Sequence, residues 1–212
     1  MDNTVLEQKN ALLAAILANV AFDGFSTHAI SMAEQQLRLE KGTAFCLFPA
    51  GIPDVLEYWH DCLHTALAQA FLAQNPPPAK IREKIHSSVM LRLHLLKDVK
   101  PAVRAAMGYY TLPTRALDTS NYLYQIVDQC WRLAGDTSTD YNFYSKRLLL
   151  AGVYLSTLLY WLQDESKNQQ DTADFLARRI EDVLKIPQIT KAFKKPFSGI
   201  ANVFAPWRVH IS

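Results

Sequence analysis

The chain has 212 residues, half of them apolar and only seven of them glycine, with a formal net charge of +2. That length suits one domain, or a small domain fused to a larger one, and that composition excludes disorder over most of the chain. The charge is unevenly placed: residues 1–64 carry three basic and eight acidic side chains, whereas residues 183–212 carry five basic and no acidic ones, so the two ends favour opposite surfaces.

Leu6, Leu13, Ile16, Leu17 and Val20 recur at helical spacing, and Asp23-Gly24 closes that helix. Ser26 or Thr27 is placed to cap a short helix reaching about Leu37. A turn over 38–40 leads to a second short helix, which opens at Lys41 or Gly42 and ends at Phe48-Pro49. Through Gly24-Phe25, Lys41-Gly42-Thr43 and Phe48-Pro49, this array resembles the N-terminal helix-turn-helix of tetracycline-repressor-type regulators. The resemblance implies a repressor-like helical bundle. Where those regulators place DNA contacts this chain has Ala44, Phe45, Cys46 and Leu47, and where they carry a phosphate-contacting Lys it has Ala50-Gly51. An acidic module of this kind is repelled by a duplex. Residues 1–50 are therefore expected to be a degenerate helix-turn-helix subdomain that binds no nucleic acid. A transcriptional regulator with a small-molecule pocket is the rival reading.

Helices then follow one another with short breaks. One spans Asp54 to Gln74 with Val55, Trp59, Cys62, Leu63, Ala66 and Ala70 inward, ended by Asn75 and three prolines. The next, Ala79 to Val99, uses Ile81, Ile85, Val89 and Leu96. Pro101 suits a first helical position, Leu112-Pro113 precedes a helix from Thr114 to Ala134, and Asp171 caps a helix reaching Ile186. No segment reads as strand, so the expected class is all-α.

Between the last two lies GDTSTDYNFYSKRLLLAGVYLSTLLYWLQD, Gly135 to Asp164. Its first half is polar and capped. Its second, Leu148 to Leu162, is apolar nearly all round and too short for a bilayer, which predicts the central buried helix of the domain. The string G-D-x-S-T-D-x-N-x-Y-x-K-R, with LPTRALDTSNYLYQIVDQCWRLAGD upstream, resembles the accessory lipid-binding protein family of ubiquinone biosynthesis, the ninth coenzyme Q protein. That resemblance implies a non-enzymatic binder of isoprenoid or other lipid, with residues 51–187 as the lipid-binding and dimerisation domain. It implies that Asp140, Tyr141, Asn142, Phe143 and Tyr144 belong to the surface docking demethoxyubiquinone hydroxylase, a di-iron monooxygenase. The repressor-like fold implies a homodimer through the helices Tyr141 to Leu162 and Asp171 to Ile186. The bulky or deformable residues Met107, Tyr110, Trp131 and Tyr154, with Ala151 on the buried helix, are the candidate lipid contacts.

Metal chemistry is weighed on Glu57-x-x-His60 and Glu83-x-x-His86, which match half of a di-iron bundle motif. Relative to Val55 and Ile81, each Glu lies about 200° and each His about 140° around its helix, so both pairs are expected to face outward. His60-Asp61-Cys62-Leu63-His64 also imitates H-E-x-x-H, but Asp replaces the catalytic Glu and no third ligand is evident, so His60 and His64 are expected to be solvated. No nucleophilic triad, phosphate loop or nucleotide fingerprint is visible, so neither catalysis nor a cofactor is expected. Cys46, Cys62 and Cys130, odd in number and without C-x-x-C spacing, suit buried thiols in a reducing compartment. With no basic n-region or Arg-rich transit peptide, the expected location is the cytoplasm, peripheral on the inner membrane, or the matrix side if the chain is organellar.

The C-terminal residues 188–212 carry the clearest amphipathic pattern. Measured from Ile189, the residues Phe193, Phe197, Ile200, Phe204 and Trp207 fall within about 80° of one another, while Lys191, Lys194 and Lys195 lie about 140° to 240° away. Large rings on one side and lysines on the other predict a helix lying on an anionic membrane surface.

Overall fold

The computed structural model describes residues 3–136 and 141–185, and these form an all-α bundle. The first helix, α1 (Asn3–Asp23), buries Leu12, Leu13, Ile16 and Val20 against α2 (Thr27–Gln36) and leaves Leu6, near its start, exposed. Ser26 caps α2, its hydroxyl accepting from the Ala29 N–H at 3.2 Å. The short α3 (Thr43–Leu47) has no capping side chain of its own. Glu34 supplies one from α2: its buried carboxylate accepts from the N–H groups of Gly42 and Ala44, both at 2.9 Å. That bracket fixes the helix-turn-helix angle, and it leaves Phe45 and Cys46 exposed on α3. Cys46 is therefore not the buried thiol expected from the sequence, whereas Cys130 is buried.

The long α4 (Ile52–Leu72) starts two residues earlier than the sequence pattern suggests. Pro53 occupies its first turn, and the Asp54 carboxylate accepts from the Ala50 N–H at 2.7 Å. It is followed by α5 (Ile81–Leu95), α6 (Lys100–Tyr110), α7 (Ala116–Leu133), α8 (Tyr141–Trp161) and α9 (Gln170–Leu184), with single 3-10 turns before α6, α7 and α9. Ile81, expected in the core, is exposed at the first turn of α5. One apolar cluster runs from Leu12 in α1 to Leu176 in α9.

The central helix is α5 and not α8. It packs against α4, α7, α8 and α9, and buries Ile85, Val89, Arg92 and Leu93. By contrast α8 leaves Tyr144, Leu148, Leu155 and Leu159 exposed, by 42%, 56%, 41% and 54%. These lie within about 60° of one another around the helix. The expectation of full burial fails because the described chain covers only the opposite side, through α5, α7 and α9.

The ends of α8 are pinned from other helices. Lys100 donates to the carbonyls of Trp161 and Asp164, both at 2.8 Å, and Arg104 donates to that of Leu162. Asp171 does not cap α9. It sits inside the first turn, and Asp164 does the capping, accepting from the N–H groups of Thr172 at 2.9 Å and Ser166 at 2.7 Å and from the Thr172 hydroxyl. Those donors favour its charged form and hold its pKa down to about 2 against the opposing effect of burial.

Candidate functional site

Where α4, α5, α6, α7 and α8 converge, their inward residues fail to fill the space. The cavity of about 170 Å³ is walled by Trp59 and Leu63 of α4, Val103, Ala106, Met107 and Tyr110 of α6, Tyr122 and Ile126 of α7, and Tyr154 and Leu158 of α8, with Arg92 of α5. Apart from Arg92 and a few hydroxyls the lining is apolar. Beside it lies a polar pocket of about 360 Å³ whose walls include Glu57, His60, Asp61, Arg115, Asp118 and Gln125. Tyr110 and Tyr122 belong to both, and their rings stack at 5.0 Å and 25°, forming the partition. Burial pushes the Tyr122 hydroxyl up to about 12 and raises Tyr110 as well, so both stay neutral.

Three of the five candidate lipid contacts, Met107, Tyr110 and Tyr154, come together in this cavity. Trp131 does not. Its indole N–H donates to the Lys146 carbonyl at 3.2 Å and the Lys146 ammonium lies over its ring, so it braces α7 against α8. Ala151 lines a separate groove of about 120 Å³ between α7 and α8, with Tyr124, Val127, Tyr144 and Leu148.

The polar start of α8 is in part an internal network. Arg147 is 3% exposed, and its guanidinium meets Asp128 at 2.6 Å and Asp136 at 3.3 Å, while Lys146 meets Asp136 at 2.8 Å. The Gly135-Asp136 and Lys146-Arg147 ends of the diagnostic string thus close on one another. The Arg147 guanidinium also stacks 3.4 Å above the Phe143 ring, which leaves Phe143 half-buried. Of the docking residues, Tyr144 is exposed, Tyr141 and Asn142 are described by their helical backbone alone, and Asp140 lies outside the described residues. The tail residues Lys191, Phe193, Lys194, Lys195, Phe197, Ile200, Phe204 and Trp207 also lie outside them.

His60 is not solvated. It is 3% exposed, its ring packs against Tyr122 in a tilted contact at 4.3 Å, and neither ring nitrogen makes a hydrogen bond of normal geometry among the described residues, the Gln125 side chain nearby only partly offsetting burial. Burial, then the nearby Arg92 and His64 charges, lowers its pKa to about 3. His64 is half-buried, with Nε2 3.4 Å from the Gln125 carbonyl. Glu57 does face solvent, so the E-x-x-H pair is split between inside and outside. His86 is half-buried and bonded to the Ala173 carbonyl at 3.1 Å. Among the described residues no three His, Cys, Asp or Glu side chains are placed to share a metal ion.

Sequence reasoning passed over Arg92, the one charged group in the cavity wall, although its signal was present. Ile85, Val89, Arg92 and Leu96 are spaced 4, 3 and 4, which puts the arginine on the apolar face of α5.

The COQ9 family model matches residues 116–187. The ubiquinone biosynthesis protein COQ9, mitochondrial, of Bos taurus is 30% identical over 192 residues, covering 88% of this chain and 60% of that protein. The Homo sapiens protein of the same name is 28% identical over 193 residues, again 88% of this chain and 60% of that protein. This chain resembles the COQ9 proteins. It spans about 60% of the length of these mammalian relatives. Among solved structures, a TetR transcriptional regulator from Nitrosomonas europaea superposes with a TM-score of 0.65 at 17% identity, over 82% of this chain and 97% of that one. The repressor-like fold expected from the helix-turn-helix is therefore present, and COQ9-like sequence is built on it.

Proposed function

We propose that this chain is a non-enzymatic, lipid-binding accessory protein of ubiquinone biosynthesis, which presents a polyprenyl quinone intermediate to demethoxyubiquinone hydroxylase at an anionic membrane surface. Similarity to proteins named for ubiquinone biosynthesis supports the pathway. The observation that carries the ligand class is the apolar cavity between α4 and α8. Its volume is below the roughly 300–1,000 Å³ of sites that enclose drug-sized ligands, so it takes a segment of a polyprenyl chain and not the whole. The relatives are named as mitochondrial, and a place on the matrix side of the inner membrane, or on its cytoplasmic side in a bacterium, goes with this reading.

Tyr144 at the exposed head of α8 supports a partner surface there, and the lysine and aromatic periodicity of residues 189–207 supports the membrane. The exposed stripe of α8 supports a homodimer, in which a second copy of this chain covers Leu148, Leu155 and Leu159. Gly152, on the same side, lets two helices approach closely.

The TetR-like fold favours one rival, a transcriptional regulator whose effector occupies the same cavity. The acidic N-terminal third and the exposed Phe45 and Cys46 on α3 weigh against it. A DNA shift assay at low salt separates the two.

Organic extraction of detergent-free protein followed by mass spectrometry tests the carrier. Apolar lipid near one per chain is expected. Ala106→Phe, which puts a ring into the cavity, reduces it, while Ala151→Phe in the separate groove does not. Folded wild-type protein that yields no lipid overturns the reading.

A further inference from the structure

Arg92 is 1% exposed, yet it is one of the residues that line the apolar cavity. Arginine keeps its proton under all ordinary conditions, so the cavity contains a permanent positive charge. Its Nε donates to the Tyr154 hydroxyl at 3.3 Å, and its Nη1 has no partner. No carboxylate among the described residues pairs with it, in contrast to the equally buried Arg147, which is held between Asp128 and Asp136. The neighbours offer no negative charge either: Tyr122 and Tyr154 bring hydroxyls and His60 a neutral ring. A buried charge of this kind is strongly unfavourable unless whatever fills the cavity completes it.

We propose that the cavity selects a carboxylate-headed amphiphile, its head against Nη1 of Arg92 and its tail along Leu96, Val103, Ala106, Met107 and Leu158. This rests on the lipid-carrier reading and departs from it in the head group, because a neutral quinone ring brings no anion to balance Arg92. One guanidinium balances one negative charge, and Nη1 is a free donor for a charge-assisted hydrogen bond. A phosphate dianion would bring a second charge with no cation to meet it in the wall. The same head is carried by a fatty acid and by a prenylated aromatic acid, so the tail decides between those sources.

The test is competition on the full chain read by native mass spectrometry. In one arm dodecanoic acid competes with equimolar 1-dodecanol; in the other a geranylated benzoic acid competes with the matching benzyl alcohol. The acid is expected to win by about tenfold or more in at least one arm, the advantage of pairing the buried Arg92 charge with an anion over hydrogen-bonding it to a neutral hydroxyl. The arm with the larger margin identifies the tail. In Arg92→Met, which keeps length and apolar volume, the margin falls to near unity while the alcohol still binds. Equal occupancy by acid and alcohol in wild-type protein overturns this inference and leaves the carrier reading standing, and it needs no variant to fold. Failure of all four compounds to bind also overturns this inference, while the carrier reading is overturned separately, by folded wild-type protein that yields no lipid on extraction.

Discussion

At the scale of single residues, His60 makes the stability of the protein depend on pH. Its ring is packed on Tyr122 with neither nitrogen in a hydrogen bond of normal geometry, so the folded state favours the neutral form and the pKa drops from 6.5 to about 3. Between those values the unfolded chain binds the extra proton and the folded one does not. His60 therefore contributes its full stability above the unfolded pKa and loses it as pH falls towards the folded one. From pH 7 to 5, before most carboxylates titrate, the loss is about 2 kcal/mol. Urea midpoints measured across that window should fall for wild-type protein and fall less for His60→Phe, which keeps a ring against Tyr122. Equal slopes would show that His60 is hydrated. His64 shifts in the same direction, chiefly through burial, and both proteins contain it, so the difference isolates His60. The outward angle expected for His60 was sound arithmetic on the wrong premise. It assumes one buried face, whereas α4 packs on both α5 and α7, and the face reckoned as solvent is covered by Tyr122.

At the scale of elements, helix starts were legible where a local cap makes them. Ser26 before α2 and Pro101 in the first turn of α6 are local signals that the structure uses, whereas Pro53 went unread and α4 starts two residues before Asp54. Caps supplied from a distance were not legible: Glu34 serves α3 across eight and ten residues, and Asp164 serves α9 across eight. The ion pair of Arg147 was not legible either, because its partner Asp128 lies a full loop away on α7. For α8 the all-round apolar pattern predicts burial on every side, and sequence has no means of saying that the described chain supplies cover on one side only. A second copy as the missing cover is checked by sedimentation. Wild-type protein should be a dimer and Leu148→Glu with Leu159→Glu a monomer of unchanged helicity, since two carboxylates on a stripe facing its own copy meet like charge and apolar surface. A monomeric wild type removes this proposal and leaves the stripe to another partner.

At the scale of the whole molecule, the repressor-like class was legible because short strings at fixed separations carry it, while the cavity was not, because five helices build it and no pair of them reveals it. The charge asymmetry is also a whole-chain property, and it leads to a prediction about where the molecule sits. The N-terminal third is acidic and is repelled by anionic lipid, so membrane attraction falls to the basic end. There Lys191, Lys194 and Lys195 alternate with Phe193, Phe197, Ile200, Phe204 and Trp207 at helical spacing. Each lysine near an anionic surface adds about 1 kcal/mol, so the three together strengthen binding by roughly two orders of magnitude at low salt, before any burial of rings. Deleting residues 188–212 should leave a folded protein that retains its lipid and no longer sediments with phosphatidylserine vesicles. Phe197→Glu should weaken sedimentation by putting charge among the rings, and replacing the three lysines by glutamine should remove most of the salt dependence. The two variants separate the contributions, because the first retains every lysine and the second every ring. Full-length protein that ignores phosphatidylserine vesicles at low salt would overturn the membrane-surface reading of the tail.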